Sequence, residues 1–472
     1  MKNNSLWQEY QEKIIDNITN EKNISTDILI IGAGITGIMT AYFLKDSNNK
    51  ITIIDKSKIG TGITSKTTAK LTYLEQDIYR KLTSIHGNNI AKKYYNSQKE
   101  AIDIFNSIIE GNNIDCDKEK VSSVLFTNNK NNFDKLTKER NILSSYGEKT
   151  KEYKDNYVKY GFIVDNTYTF NPIKYLNEIT KLIKDKVSIY ENIIATSIKK
   201  YNNKYIVNTN KYKIIASKIV LACHYPFFII PFLFPIKTHI EREYVNVSKI
   251  NEHKKITLIN IDKQLYSVRY YKDYLIYASH NHLLTNKIDY ANNYKNSQDE
   301  FKKQFHKRPL YTWINQDIIS NDLLPFIGEI KENIYISTAY NTWGMTNSII
   351  GAKLLSDLIQ NKENSYVKLF NPNRLNVPLV FNSLVGIFNY LKVYIESLFH
   401  KSNPYYVKIK GILYGIYVDK NGVEHKVKLI CPHMKCSLVF NDADATWDCP
   451  CHGSRFDIDG NIINSPAIKK IS

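Results

Sequence analysis

Residues 26–57 read TDILIIGAGITGIMTAYFLKDSNNKITIIDKS, and no other stretch restricts the fold of this chain so tightly. An apolar run from Ile28 to Ile31 enters a turn carrying Gly32, Gly34 and Gly37. A helix-like segment from Ile35 to Leu44 follows, and a second apolar run ends in Asp55. The first glycine of this G-x-G-x-x-G spacing permits the tight turn, the second lets the backbone approach a pyrophosphate, and the third lets the helix pack on its strand. The helix start faces the phosphates with free N–H groups and a positive dipole end. Asp55 stands where a carboxylate accepts hydrogen bonds from a cofactor ribose. The pattern predicts a strand-turn-helix-strand dinucleotide site, with Ala33 and Thr36 in the turn and Lys56 beside the acid.

A chain of 472 residues, 43% of them hydrophobic, can bury sizeable cores and is long enough for two or three domains. The formal charge of +18 favours anionic partners, cofactors or membrane surfaces. No basic run or binding motif accompanies it, so nucleic acid is not an expected partner. The first residues, MKNNSLWQEYQEKIIDNITN, lack the apolar core of a secretory signal, which predicts a cytoplasmic chain. No stretch reaches about 18 uninterrupted apolar residues, so no spanning helix is expected.

The stretch IGTGITSKTTAKLTY, with Thr67 and Thr68, resembles the loop after the second strand in FAD-dependent oxidoreductases of the D-amino-acid and glycine oxidase superfamily. YENIIATSI, around Ala195, is similar to the strand that contacts adenine through its backbone there, and SKIVLACHYPF to a later strand beside the cofactor. DLLPFIGEIKENIYISTAYNTWGMTNSIIGAKLLSDLI resembles the segment that closes the FAD site, which would include Gly328. In it a strand from Ile334 to Ser337 leads to a helix near Gly344, so the amides of Trp343, Gly344, Met345, Thr346 and Asn347 would face the flavin pyrimidine ring and stabilise negative charge on it. The resemblance spans residues 25 to 365 and implies bound FAD.

Its middle is faint, and that is the substrate region. Members of the superfamily hold an anionic substrate with an arginine and a tyrosine. YSVRYY offers Arg269 and Tyr266, and IEREYV offers Arg242, each competing with a solvated strand position. His280 and His282 share one side of a strand, which invites a metal or proton-relay reading, but no third ligand is evident. Packing is the expected role of Cys223 and His224. No catalytic triad is required, because hydride transfer to a flavin depends on orientation and electrostatics.

After a boundary near residues 366 to 375, NVPLVFNSLVGIFNYLKVYIESLFHKSNP repeats polar residues at Asn382, Gly386, Asn389, Lys392, Glu396 and His400. This is one narrow polar stripe on an apolar helix, as expected for packing on the preceding domain or for peripheral membrane contact through residues 377–400. From Tyr405 the text turns to short β-like runs, and their loops carry CPHMKC and CPCHGSRFD. Cys431 and His433 form one pair, Cys449 and His452 another. Two thiolates and two imidazoles suit either zinc or an iron cluster.

The pairing of one Cys with one His in each loop, together with CPCHGSRFD, resembles Rieske proteins. That resemblance implies a [2Fe-2S] cluster, with Cys431 and Cys449 on one iron, His433 and His452 on the other, and a disulfide between Cys436 and Cys451. Two departures stand out. Met434 and Lys435 occupy positions that commonly read Leu-Gly, and Phe456 stands where respiratory members have a tyrosine that donates to a ligand sulfur. Losing that donor predicts a lower potential.

The expected architecture is an α/β FAD-binding Rossmann-like domain with a mixed-sheet substrate domain, plus a small all-β Rieske domain. Its parts are an extension over 1–24, the oxidoreductase over 25–370, the linker helix over 371–404 and the Rieske domain over 405–472. FAD-binding parts are expected near 25–85, 150–225 and 318–365, and the substrate part near 226–317. The implied activity is oxidation of a small amine, amino acid or hydroxy acid, with electrons passing singly through the cluster to an unknown partner. An oxygen-using oxidase with a structural cluster and a redox-responsive membrane-surface protein are the alternatives.

Overall fold

The computed structural model describes residues 4–15, 23–226, 234–285, 289–398 and 405–472. Its first sheet grows from the glycine-turn segment. Strand Asn23–Ile31 lies parallel between Ile51–Ile54 and Lys213–Leu221, Val187–Tyr190 extends the first side, and Ile334–Thr338 the second. The edge strand Phe326–Lys331 is antiparallel, and a hairpin, Ala195–Tyr201 with Lys204–Thr209, packs on Lys213–Leu221. Ile28 to Ile31 are buried on both faces, as a parallel strand covered on both sides requires. Helices Ile35–Leu44 and Gly344–Ile359 pack against one another on this sheet.

The second sheet is mixed and has nine strands. Tyr311–Ser320, Thr238–Lys249, Tyr274–Leu283, Tyr266–Tyr271 and Ile256–Asn260 follow in order, then Glu119–Thr127, Tyr160–Thr169 and Lys70–Leu71, with Lys151–Tyr153 beside Tyr160–Thr169. This layer is threaded more widely than the expected 226–317. It borrows residues 70–71, 119–127 and 151–169, because parallel pairing of Ile256–Asn260 with Glu119–Thr127 brings an earlier part of the chain into the same layer.

Leu6 and Trp7, within the described part of the amino-terminal extension, belong to the core. Trp7 is fully buried, donates its indole N–H to Thr67 O at 2.7 Å and meets the Tyr271 ring edge-on at 4.8 Å.

The carboxy-terminal domain has a three-stranded sheet, Tyr406–Ile409, Ile412–Val418 and Glu424–Lys428. A four-stranded one comprises Val439–Asn441, Thr446–Asp448, Arg455–Phe456 and Ile462–Asn464. Trp447 fills its centre against Phe440, and Gly415 leaves the room that the indole occupies.

Between the domains runs helix Val377–Leu398. The side that meets the oxidoreductase domain carries buried Leu379 and Ser383 and half-buried Gly386, which passes close to Ile236 O. Of the polar stripe, Asn382 donates Nδ2–H to Asn321 O at 2.8 Å from the edge of that contact, and Asn389 and Lys392 are exposed. Its apolar flank, including Phe381, Leu384 and Phe388, is exposed, so the helix does not bury its apolar side on the oxidoreductase domain. His400 lies outside the described residues. A window from Val377 to Glu396 is long and apolar enough to cross a membrane by length and composition alone. The expectation of no such segment counted only uninterrupted runs, which Asn382 and Asn389 break.

Candidate functional site

The glycine turn opens into a cavity of about 230 Å³, and the sterics at Gly32 and Gly37 show why no larger residue fits there. Gly32 has φ +115°, and a Cβ there would collide with the Ala222 carbonyl; one at Gly37 would collide with the Gly32 carbonyl. Gly34 caps helix Ile35–Leu44, whose first N–H groups open toward the cavity. Asp55 is set by two backbone donors, Ala33 N at 2.7 Å and Ser57 N at 2.8 Å. Its carboxyl is nevertheless raised above the usual range by burial.

Of the residues expected from the sequence to bind the cofactor, Gly32, Gly34, Thr36, Asp55, Lys56, Thr67, Ala195, Gly344 and Met345 line this cavity. Ala33, Gly37, Gly328 and Thr346 do not. Ala33 and Gly37 act from behind, holding Asp55 and seating the helix. Gly328 packs instead on Pro372, because its strand is the antiparallel edge strand beyond Ile334–Thr338. Thr346 is buried inside its own helix. Cys223 and His224, expected only to pack, do line the cavity, and His224 has φ +63°. Burial lowers the His224 imidazole to about 4.

A second cavity, of about 210 Å³, adjoins the first and shares Thr67, Thr342, Gly344 and Met345 with it. Trp343, Thr68 and Tyr266 belong to this one. Three carboxyl side chains, Glu75, Glu241 and Glu243, line it together with Lys70 and the more exposed Lys81. Glu241 and Glu243 lie on one face of Thr238–Lys249, opposite Asp317 and Asn315 of the neighbouring strand. Asn315 Nδ2 donates to Glu243 Oε1 at 3.1 Å and to Asp317 Oδ2 at 2.8 Å. Burial raises both carboxyls, and repulsion from Glu243 and Glu241 adds to the effect at Asp317. Glu75 also lines the cavity; Tyr94 OH donates to its Oε2 at 2.7 Å, while its buried Oε1 has no hydrogen-bond partner.

One deeply buried cation faces these acids. Lys70 Nζ donates to Ser267 Oγ at 2.7 Å and to Thr68 Oγ1 at 3.0 Å, and burial lowers its ammonium to about 7.

Neither arginine singled out from the sequence lines this cavity. Arg269 is fully buried; it donates to Thr68 O, Ala69 O and Phe170 O and sits over the Trp7 ring. Its position in an apparently solvated strand is covered by the amino-terminal extension, so it braces the fold. Arg242 is equally sealed and pairs with Asp448 Oδ2 at 2.6 Å, across the boundary to the carboxy-terminal domain. His280 bonds Gln264 and lies near Glu300, while the His282 ring packs on Tyr244. Among the described residues no three-ligand group includes either histidine.

The carboxy-terminal loops converge. Turns close each one, with Lys435 N donating to Cys431 O at 3.0 Å and Gly453 N to Cys449 O at 3.0 Å. Cys436 and Cys451 form a disulfide that ties the two loops together. The Cys431 and Cys449 thiols are within hydrogen-bonding reach of one another. The His433 and His452 rings lie with centroids 5.1 Å apart.

Burial lowers His433 to about 4 and His452 to about 3, which keeps both imidazoles in the neutral form that ligates metals. Both ring nitrogens of His433 are buried without a hydrogen-bond partner, a costly state that metal ligation would relieve at one of them. The Cys449 sulfur also lies within 4.8 Å of both disulfide sulfurs, but those two are bonded to each other, so that trio is not the ligand set. Lys435 adopts φ +62°, the conformation a glycine would take without strain. Ser454 keeps its hydroxyl beside Cys431, and Phe456 is sealed in the core.

The model of the FAD dependent oxidoreductase family matches residues 27–358. The chain belongs to that family. The Rieske [2Fe-2S] domain model matches residues 389–472, so this family member carries a second redox module and holds both FAD and a [2Fe-2S] cluster. It is 29% identical to the putative Rieske 2Fe-2S iron-sulfur protein YhfW of Bacillus subtilis, over 96% of this chain and 94% of that one. Its fold is similar to glycine oxidase from Geobacillus kaustophilus, with TM-score 0.64 at 12% identity, over 75% of this chain and 100% of the other. It is also similar to L-amino acid deaminase from Proteus vulgaris, with TM-score 0.61 at 16% identity, over 77% and 100%. In this FAD-dependent oxidoreductase the glycine-turn cavity fits FAD, and Cys431, His433, Cys449 and His452 fit the cluster.

Proposed function

We propose that the protein oxidises a small amine or amino acid in the acidic cavity and hands the electrons singly, through its Rieske cluster, to an external acceptor. The observation that carries this reading is the shared wall: Thr67, Thr342, Gly344 and Met345 border both the FAD cavity and the acidic one. A substrate in the second cavity lies against the cofactor in the first.

When bound, FAD accepts two electrons as a hydride and the cluster carries one at a time. The chain's own residues bind and orient. Glu241, with Glu243 beside it on the same strand face, attracts an ammonium group, and Lys70 meets the opposite, polar end of the substrate. The cluster loop abuts the FAD cavity, with Gln316 lining it and donating Nε2–H to Gly453 O at 3.2 Å. Names among the structural neighbours, glycine oxidase and L-amino acid deaminase, support an amino-bearing substrate.

The test is anaerobic mixing with a panel of amines, amino acids and hydroxy acids, following flavin bleaching and then cluster reduction. Bleaching by amino compounds, followed by a reduced cluster, supports the reading. Bleaching by none of them sinks it.

We further propose that the exposed apolar flank of Val377–Leu398 rests on an anionic membrane surface at the cytoplasmic face. Phe381, Leu384 and Phe388 there, and the +18 charge of the chain, support this. Co-sedimentation with phosphatidylserine vesicles, lost in Phe381→Asp with Phe388→Asp, is the expected result; no sedimentation of the unaltered protein contradicts it.

A further inference from the structure

The FAD cavity is not closed by the oxidoreductase domain alone. Residues 462–465, 467 and 468, all in the carboxy-terminal domain, form part of its wall. Three polar links fix that domain against the cavity. Lys56, next to the ribose-side acid Asp55, donates Nζ–H to Ile463 O at 2.8 Å. Gln316 reaches Gly453 O with its amide nitrogen and accepts from Arg242 Nε at 2.9 Å with its oxygen. Arg242 in turn meets Asp448 Oδ2 in an ion pair sealed from solvent on both sides.

Two of the three anchoring side chains, Lys56 and Gln316, are themselves cavity wall, so docking and cavity shape are set by the same groups. The fit is close: a Cβ added to Gly453 would stand 2.6 Å from Gln316 Nε2 and 3.0 Å from Ile240 Cδ1.

We propose that the carboxy-terminal domain is the cover of the FAD site, so that FAD binding and docking of the cluster domain are linked and each tightens the other. The domain therefore has two roles. It carries electrons, and residues 462–468 complete the cofactor site and retain FAD. Linkage is reciprocal: whatever FAD gains from the docked domain, docking gains from bound FAD. A cofactor walled in by two domains leaves only when they part, so its release rate reports the undocked fraction. This inference needs no substrate and stands or falls apart from the proposed turnover.

Two measurements on the full chain test it. Hydrogen–deuterium exchange compares the protein stripped of FAD with the same protein reloaded. Slower exchange at residues 462–468 on reloading is expected, with the exposed turn at 419–423 unchanged as an internal control. Equal exchange at 462–468 in the two states overturns the proposal.

The second measurement is FAD release, followed by flavin fluorescence, from Arg242→Leu, a residue that lines neither cavity. Release about tenfold faster than from the unaltered chain, at unchanged iron content, is expected. Release at the unaltered rate overturns it. Should that variant fail to fold, the exchange experiment decides alone.

Discussion

The cluster loops offer all four candidate ligands, Cys431, His433, Cys449 and His452, within one short stretch. The acidic cavity beside FAD gathers Lys70, Glu75, Glu243, Ser267 and Trp343 from separate parts of the chain. A metal centre demands particular donor atoms at fixed separations, and two turns tied by Cys436–Cys451 deliver them locally. A substrate cavity demands only a shape and a field, which distant strands of a mixed sheet supply. The first kind of site tolerates almost no substitution at its key atoms, and the second is open to tuning.

Substitutions that break the local sites should have the largest effects. Cys449→Ser should remove the iron and the reduced-state EPR signal altogether, as iron analysis and EPR would show, since one thiolate cannot hold that iron. Gly37→Val should abolish FAD binding and lower the yield of folded protein, because its side chain would be driven into the Gly32 carbonyl. Flavin content of the purified variant checks it.

Lys70→Met should behave oppositely, losing turnover while gaining stability. Folded Lys70 releases its proton near 7, whereas the unfolded side chain keeps it to about 10.4. Between those values the unfolded chain binds more protons, so this residue's penalty is largest near and below pH 7 and fades as pH rises. The variant's gain, on the order of 2–4 kcal/mol at pH 7, should vanish above about pH 10.5 in urea titrations. A gain independent of pH would contradict the assignment.

Within the cluster loop, Lys435→Gly should stabilise the domain by about 1 kcal/mol, measured by thermal unfolding, through relief of left-handed strain. Phe456→Tyr, the mildest change, should raise the cluster potential in a redox titration by restoring a donor near the ligand sulfurs.

The cofactor sites were legible because their chemistry is contiguous. Gly32, Gly34 and Asp55 declare their roles through spacing within one strand-turn-helix-strand unit, and the Cys and His pairs do so within one loop each. Arg269 was not legible. In YSVRYY it reads as a solvated strand residue, and nothing local announces that Trp7, far away in sequence, covers it.

Arg242 is similar: its partner Asp448 belongs to another domain. The acids of the second cavity were missed because Glu241 and Glu243 alternate along a strand as surface residues do. Only the cross-strand pairing with Asp317 and Asn315 turns that face into an interior. The period-3.6 stripe of Val377–Leu398 was visible, but the period says nothing about which side meets the protein.

The central claim, two redox centres in one chain, is tested most directly by anaerobic purification followed by absorption and low-temperature EPR of the dithionite-reduced protein. The account predicts a flavin spectrum together with the low-average-g signal of a histidine-ligated [2Fe-2S] cluster. A flavin spectrum accompanied by zinc, with no iron and no such signal, would contradict it and leave the carboxy-terminal domain without a part in electron transfer.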